Sequence, residues 1–507
     1  MAPNEIVELS ENVAGSPYWS ADMAPVGARE RKWGLRDIAV LWISMSACIP
    51  TYMLASSLIE KGMDWRQAVA TIFLGNCIVL VPMVLNAHAG TKYGISFPVY
   101  CRASFGVLGA NVPALLRALV ACGWFGIQTW IGGEALFHML AVFAPGVHQL
   151  PDIAGLGING AELVCFLLFW LVNMAVVWRG IDSIRLLLNI KAPLLIGLGL
   201  LLLGWAYDKA NGFGPILSKP SQFAEGGPQF GKFWLIFFPA LTANVSYWAT
   251  LSLNIPDFSR YARSQSDQAW GQALGLPTTM GLFSFIGVAV TSAAHVIYAG
   301  LGPEQQQDLW KPMYLLSLFD NPVVLCFAMF AVAVATLATN IAANVVSPAN
   351  DFAHLWPKRI NFRIGGLITG LVGIAIQPWR LVADPNGYIF TWLIGISVLL
   401  GAVGGVLIAD YYLIRKTQLD LPGLYLRNGP YWYVSGINPY ALAALTIGIS
   451  LGLPGFLAEV GVWNKQELPE FWKRLYDYAW FASFGAALAV YYALMRIVGR
   501  NAQRRVR

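Results

Sequence analysis

Apolar runs of about 20 residues recur along almost the whole chain, from position 38 to position 498. A run of this length is enough for an α-helix to cross the roughly 30 Å hydrocarbon core of a bilayer. No polar stretch between the runs is long enough to fold as a sizeable soluble domain. The sequence therefore predicts an all-α polytopic membrane protein.

The apolar pattern predicts about twelve spanning helices. They are expected at residues 38–59, 67–88, 111–140, 161–178, 188–207, 232–253, 271–299, 321–347, 364–380, 387–413, 438–459 and 476–497. The composition agrees, because only 12% of the 507 residues are charged, against roughly 25% in an ordinary soluble protein.

Loop charges predict the orientation of the chain. Basic residues are denser on the side that carries both termini, for example Arg260 and Arg263 after the sixth span and Arg415 and Lys416 after the tenth. This bias places both termini in the cytoplasm and the protein in the plasma (inner) membrane. The basic residues lie in short loops, so no nucleic-acid patch is indicated.

Three predicted spans carry interruptions. Pro50 lies inside the first span and removes a backbone hydrogen bond there, which loosens the turn from about Ser44 to Ala47. The sixth span is rich in polar residues from Asn244 to Asn254, and the eighth has two asparagines near its centre. Interrupted helices in corresponding positions of two halves are typical of a transporter site at the bilayer midplane.

The spacing of the interruptions predicts the domain organisation. The first and sixth spans are five apart, as in an inverted repeat of five helices plus five. We therefore expect a cytoplasmic tail at 1–36, a ten-helix core at 37–420 with repeats at about 37–210 and 230–415, two further helices at 421–498, and a basic cytoplasmic tail at 499–507.

The third span contains the stretch Cys122-Gly-Trp-Phe-Gly-Ile-Gln-Thr-Trp130. Trp124 and Gln128 are four residues apart and so share one helix face. An indole and a carboxamide on one face could stack a planar molecule and read its amide edge. In the alternative interpretation, the tryptophans pack and the glutamine bonds two helices together.

Ionisable residues inside the spans are few. Glu134 is an intramembrane carboxyl and a candidate for proton coupling, although it lies six residues past Gln128 and faces elsewhere. Asp257 and Asp410 lie near Arg260 and Arg415, where we expect helix-end or gate pairs.

The cysteines and histidines lack disulfide or metal-ligand spacing, and no nucleophile–base set indicates an enzyme or a cofactor.

Four motifs resemble the nucleobase:cation symporter-1 family. They are Gly123-Trp-Phe-Gly-Ile-Gln-Thr-Trp130, Tyr247-Trp248 with Asn254-Ile-Pro-Asp-Phe-Ser259, Ala338-Thr-Asn-Ile-Ala-Ala-Asn-Val-Val-Ser-Pro348, and Ile408-Ala-Asp-Tyr-Tyr-Leu-Ile-Arg415. Within the family, the sequence around Cys48-Ile-Pro-Thr-Tyr52 looks most like the allantoin and uracil permease branch.

The resemblance implies a LeuT-type fold and uptake of small planar amides such as nucleobases, hydantoins or allantoin. By matching motif positions, Trp124 and Trp248 would enclose the ring, and Gln128 and Asn344 would bond its edges. The other positions implied at the site are Tyr247, Asn340 and Cys48. The hydantoin-transporting branch has a glutamine where this chain has Cys48, which argues against hydantoin specificity.

The family's sodium site corresponds to Ser44, Ala47, Ala335, Ala338 and Thr339. The resemblance implies a serine where Ala338 stands, so one oxygen ligand is missing for a cation that prefers oxygen. This favours H+ over Na+ as the coupling ion.

The sequence thus predicts a symporter that imports a neutral, planar, nucleobase-like amide such as uracil or allantoin. Its partners are this small molecule, a coupling cation and membrane lipid. The alternatives are a passive channel-like facilitator of the same solutes and a sodium-coupled hydantoin-type symporter.

Overall fold

The computed structural model describes residues 6–179, 181–356 and 359–506, and for residues 181–192 and 498–506 it describes the backbone only. Residues 1–5 of the expected N-terminal tail and the side chains of the expected tail at 499–507 therefore lie outside the described residues. Within these ranges the chain forms helices and three isolated bridges, without a β-sheet. The all-α prediction is confirmed.

The long helical segments are numbered here in chain order. They are helix 1 (Leu35–Ser46 and Ile49–Glu60), helix 2 (Trp65–Tyr93), helix 3 (Asn111–Phe143), helix 4 (Gly160–Arg179), helix 5 (Ile181–Lys209), helix 6 (Phe233–Tyr247 and Ala249–Asn254), helix 7 (Gln265–Ile297), helix 8 (Pro322–Asn344 and Val346–Leu355), helix 9 (Phe362–Ala375), helix 10 (Gly387–Leu393, Ile394–Ile408 and Ala409–Ile414), helix 11 (Pro439–Glu459) and helix 12 (Ala479–Val506).

Among the described residues, 8 helices are long and apolar enough to cross a membrane, or up to 9 when the two halves of helix 1 are joined. The apolar helices Phe233–Tyr247 and Phe362–Ala375 are shorter. Helix 9 ends at Ala375, and two residues later Gln377 has a positive φ of 53° and precedes Pro378. Every predicted span coincides with a numbered helix, and the count of twelve crossings is consistent with this order.

Interruptions are present in the three expected helices. The turn that was expected to be loosened from Ser44 to Ala47 is helical through Ser46, and the break lies at Ala47 and Cys48. Helix 1 bends by 58° between its halves, where Ala47 and Cys48 adopt extended backbone conformations. Pro50 lies in the first turn of the second half, where its missing N–H leaves no unmade helical bond. Helix 6 is interrupted at Trp248. Helix 8 has a one-residue irregularity at Val345, and Pro322–Leu355 continues across it as a single apolar span. Trp248 and Val345 still accept backbone hydrogen bonds within their own helices, from Ser252 and Ala349.

Helix 10 departs from the sequence prediction because it has wide π-helical turns at both ends. At the second of these turns, the Arg415 N–H bonds the Asp410 carbonyl five residues back. The wider turn brings Arg415 Nε to 2.6 Å from the Asp410 carboxylate, which also accepts from Tyr491 at 2.7 Å. The expected pairing of Asp410 with Arg415 is thus present.

The helices pack in two groups. Helices 1, 2, 6 and 7 contact one another, with helix 7 against helices 1 and 2 and helix 6 against helix 2. Helices 3, 4, 8 and 9 form the second group, with helix 3 against the other three. Helices 10, 11 and 12 pack together beside them. The interrupted helices 1 and 6 belong to one group and helix 8 to the other, so the breaks meet between the groups.

Candidate functional site

A narrow cavity of about 30 Å³ lies where helices 1, 3, 6 and 8 meet. It is lined by Met45, Cys48, Trp124, Gln128, Tyr247, Trp248, Leu251, Thr339, Ala343 and Asn344. None of these lining residues is charged. The lining therefore suits a neutral molecule, and a molecule larger than water requires the surrounding side chains to move apart.

Each helix break contributes a lining residue. Cys48 lies at the bend of helix 1, Trp248 is the non-helical residue of helix 6, and Asn344 is the last residue before the break in helix 8. Irregular backbone is tolerated inside a membrane protein where it lines a cavity and does not face lipid. The breaks therefore position the cavity.

Helix 3 supplies the predicted pair. Trp124 and Gln128 both line the cavity and are 7% and 3% exposed. The Gln128 side-chain oxygen is buried and has no hydrogen-bond partner among the described residues. Gln128 therefore does not bond two helices together in this structure. A buried amide without a partner is costly, and a ligand that bonds to it would remove that cost. Gln128 is available to a ligand.

Three aromatic rings form one wall. The Tyr247 ring lies 5.2 Å from that of Trp124 and 5.0 Å from that of Trp248, edge-on to each. Trp42 packs edge-on against Trp248 at 5.2 Å, and Trp392 against Trp124 at 5.6 Å. These outer tryptophans hold the lining rings in fixed orientations, which favours stacking of a planar ligand.

A hydroxyl that the sequence analysis missed lies beside Cys48. The Thr51 hydroxyl is 3.0 Å from the Tyr247 hydroxyl, and the Cys48 sulfur is 3.3 Å and 3.2 Å from these two oxygens. Thr51 is three residues after Cys48, so the two side chains are neighbours on helix 1. This spacing could have identified Thr51 from the sequence. These contacts hold the hydroxyl end of the Tyr247 ring in place.

Asn340 does not line the cavity. It is fully buried behind Asn344, and its amide nitrogen contacts Phe125 O, Thr129 Oγ1 and Asn173 Oδ1 at 3.2, 3.0 and 3.1 Å. Of the two asparagines that were both expected at the site, only Asn344 lines the cavity, and Asn340 contacts Asn344 from behind.

The positions that match a sodium site lie around the breaks of helices 1 and 8. Ser44, Ala47, Ala335, Ala338 and Thr339 are all buried. The Thr339 hydroxyl donates to the Ala335 carbonyl at 2.9 Å, and Ala338 brings no side-chain oxygen. The described residues hold no group of three or more His, Cys, Asp or Glu suited to a metal ion.

Glu134 lies on helix 3 away from the cavity. It is half-buried and absent from the lining residues, in agreement with its spacing from Gln128.

A second polar cluster links helices 3, 6 and 8 near the end of the bundle that carries the termini. Arg117 pairs with Asp351 at 2.7 Å, and both side chains are completely buried. The Asn254 side chain lies 2.7 Å from the Ser347 hydroxyl, which donates to Asp257 at 2.6 Å. The sequence analysis missed the first pair because Arg117 and Asp351 are far apart in the chain.

The expected partner of Asp257 was wrong. Its carboxylate accepts from the Phe97 N–H at 2.8 Å as well as from Ser347, whereas the Arg260 guanidinium lies over the Tyr261 ring at 5.1 Å. Asp257 satisfies the N-terminus of the short helix Phe97–Phe105. Proximity in sequence did not reveal this tertiary contact.

The comparisons with known proteins identify the family. A family model described as permease for cytosine/purines, uracil, thiamine and allantoin matches residues 25–482. The chain belongs to this family. It is therefore a multi-pass membrane transporter and not an enzyme, and the resemblance drawn from the motifs in helices 3, 6, 8 and 10 is confirmed.

Two relatives of this permease are similar over most of their length. The purine-uracil permease of Arabidopsis thaliana is 46% identical over 489 residues, which cover 95% of this chain and 78% of the relative. The allantoin permease of Bacillus subtilis is 38% identical over 480 residues, which cover 94% and 93%.

A solved structure supports the fold. Mhp1, a nucleobase-cation-symport-1 family transporter in a closed conformation with bromovinylhydantoin bound, superposes with a TM-score of 0.72 at 23% identity over 96% of each chain. The LeuT-type fold expected from the resemblance is confirmed.

Proposed function

We propose that this permease imports a neutral, planar, nucleobase-like amide such as uracil or allantoin across the plasma (inner) membrane by cation symport. The observation that carries this proposal is an uncharged cavity in which aromatic rings adjoin the two side-chain amides of Gln128 and Asn344. The similarity to a purine-uracil permease and to an allantoin permease supports the same class of substrate.

In this proposal Trp124 and Trp248 enclose the ring of the substrate, and Gln128 and Asn344 bond its edge. Cys48 and Tyr247 complete the wall on the side of helices 1 and 6. Helices 1, 2, 6 and 7 rock against helices 3, 4, 8 and 9, so that the site opens alternately to each side. Both termini face the cytoplasm.

The proposed coupling ion is the proton. Ala338 lacks the hydroxyl implied for a sodium site, so one of the expected oxygen ligands is missing. Glu134 is the candidate proton carrier because it is a carboxyl within a spanning helix. Its replacement by glutamine is expected to reduce proton-driven accumulation while leaving substrate binding in place.

Uptake of radiolabelled uracil and allantoin into expressing cells tests the proposal, with sodium present or replaced and the proton gradient intact or collapsed. We expect saturable accumulation that survives sodium replacement and is lost when the proton gradient collapses. Uptake that never exceeds the external concentration, even with the proton gradient intact, would instead identify a passive facilitator. Uptake that requires sodium would identify a sodium-coupled symporter.

A further inference from the structure

Three asparagine side chains form a directional chain of hydrogen bonds that ends at the cavity. Asn173 on helix 4 donates to Phe169 O at 2.8 Å, and Asn340 on helix 8 donates to Asn173 Oδ1 at 3.1 Å. Asn344 then donates to Asn340 Oδ1 at 3.1 Å. Asn173 and Asn340 are completely buried, and Asn344 lines the cavity.

Backbone carbonyls set the direction of this chain. A carbonyl only accepts hydrogen bonds, so the amide nitrogens of Asn173 and Asn340 must face Phe169 O and Phe125 O. Thr129 supports this orientation, because its hydroxyl donates to Phe125 O at 2.7 Å and its oxygen then faces Asn340 at 3.0 Å. Rotating the Asn340 amide by a half-turn would place carbonyl oxygens against acceptors.

The direction of the chain determines what Asn344 offers to a ligand. One N–H of its amide bonds to Asn340, which fixes the orientation of the amide, and no hydrogen bond from the described residues reaches its carbonyl oxygen. Gln128 differs, since no neighbour fixes its amide and it can present either end. The cavity therefore contains one fixed acceptor and one adaptable amide.

We propose that Asn340 is a positioning residue, held by Asn173 and Thr129, that fixes Asn344 as a hydrogen-bond acceptor and so selects ligands with an N–H group facing helix 8. This inference rests on the proposed function, because it concerns the ligand of the same cavity. Asn340 acts through Asn344 and does not touch the ligand.

Competition with methylated analogues tests the selection. Uracil, 1-methyluracil and 3-methyluracil compete against radiolabelled uracil, and each methyl group removes one ring N–H. In the unaltered protein we expect one analogue to bind about tenfold or more weakly than the other. The weaker analogue lacks the N–H group that faces Asn344, so the buried carbonyl oxygen of Asn344 is left unpaired. In Asn340→Ala, Asn344 is free to turn, so uracil should bind more weakly and the ratio between the two analogues should fall toward one.

A matched control variant distinguishes the loss of Asn344 positioning from a general destabilisation of the protein. Asn76 is also a completely buried asparagine, but it donates to Ile72 of its own helix and does not line the cavity. Asn76→Ala should leave the ratio unchanged. If the methyl group acted only by steric clash, the ratio of the affinities for 1-methyluracil and 3-methyluracil would be the same in every variant. A fall of this ratio in Asn340→Ala therefore reports that the fixed carbonyl oxygen of Asn344 has been lost. If Asn340→Ala does not reach the membrane, Asn173→Leu tests the same chain.

The outcomes distinguish this inference from the proposed function. A raised KM for uracil with an altered analogue ratio, at unchanged maximal rate per surface transporter, supports the positioning role. Equal weakening of all three compounds in Asn340→Ala, or an unchanged ratio, overturns it while the proposed function stands. If the unaltered protein takes up neither uracil nor allantoin, the proposed substrates are wrong and the inference falls with them.

Discussion

Arg117 and Asp351 form an ion pair of 2.7 Å between helices 3 and 8, with no solvent access to either side chain. Two charges at such a position are costly to bury, and their pairing offsets much of that cost. The pair joins two helices of the same packing group, close to the contact between Asn254 and Ser347 that joins the two groups. We therefore expect it to stabilise one rigid body rather than to open during transport.

Removing one partner should destabilise the protein strongly. Asp351→Ala leaves Arg117 as an unpaired buried charge, which we expect to lower the free energy of unfolding by about 3 to 5 kcal/mol. The measurement is the melting temperature of the purified protein together with its abundance at the cell surface. The double variant Arg117→Met/Asp351→Leu removes both charges and should recover most of the loss. Equal damage from the single and double variants would contradict the ion-pair account.

Gly123 should be sensitive to a single added methyl group. A Cβ built at Gly123 would clash with Trp392 Cη2, so the Trp392 ring must move. That ring packs against Trp124 at 5.6 Å. Gly123→Ala should therefore weaken uracil binding, measured as a rise in KM at comparable surface abundance. Gly485→Ala is the control because a Cβ there meets no atom within 4 Å. A similar response of both variants would exclude coupling through Trp392.

Ala338→Ser tests the coupling ion. It adds the side-chain oxygen that the family's sodium site implies, next to Thr339 on helix 8. We expect uptake by the unaltered protein to be independent of sodium and uptake by Ala338→Ser to be stimulated by it. Ala333→Ser, which adds a hydroxyl elsewhere on the same helix, should remain independent of sodium. Sodium dependence in the unaltered protein would contradict the argument from Ala338.

The features that follow from local chemistry were predictable from the sequence. Apolar run length predicted the spans, and Pro50 predicted the break in helix 1 because a proline cannot complete the helical bonding of the preceding turn. The four-residue spacing of Trp124 and Gln128 predicted their common face, and both line the cavity. Each of these inferences needs only neighbours within one or two helical turns.

The features that depend on helix packing were not predictable. Asn340 and Asn344 share a face by spacing, yet only packing against helix 4 places Asn340 behind Asn344 and against Asn173. The ion pair of Arg117 with Asp351 likewise depends on how helices 3 and 8 pack together. Spacing along one helix cannot reveal a partner on another.

Kinetics of uracil and allantoin uptake by Gln128→Ala and Asn344→Ala test the central claim most directly. Loss of either amide leaves a buried polar edge of the substrate unpaired, which should cost about 1 to 3 kcal/mol and hence roughly tenfold or more in affinity. The account predicts that both variants reach the membrane and show this loss for whichever compound the unaltered protein transports. Unchanged uptake in either variant would contradict the assignment of this cavity as the substrate site.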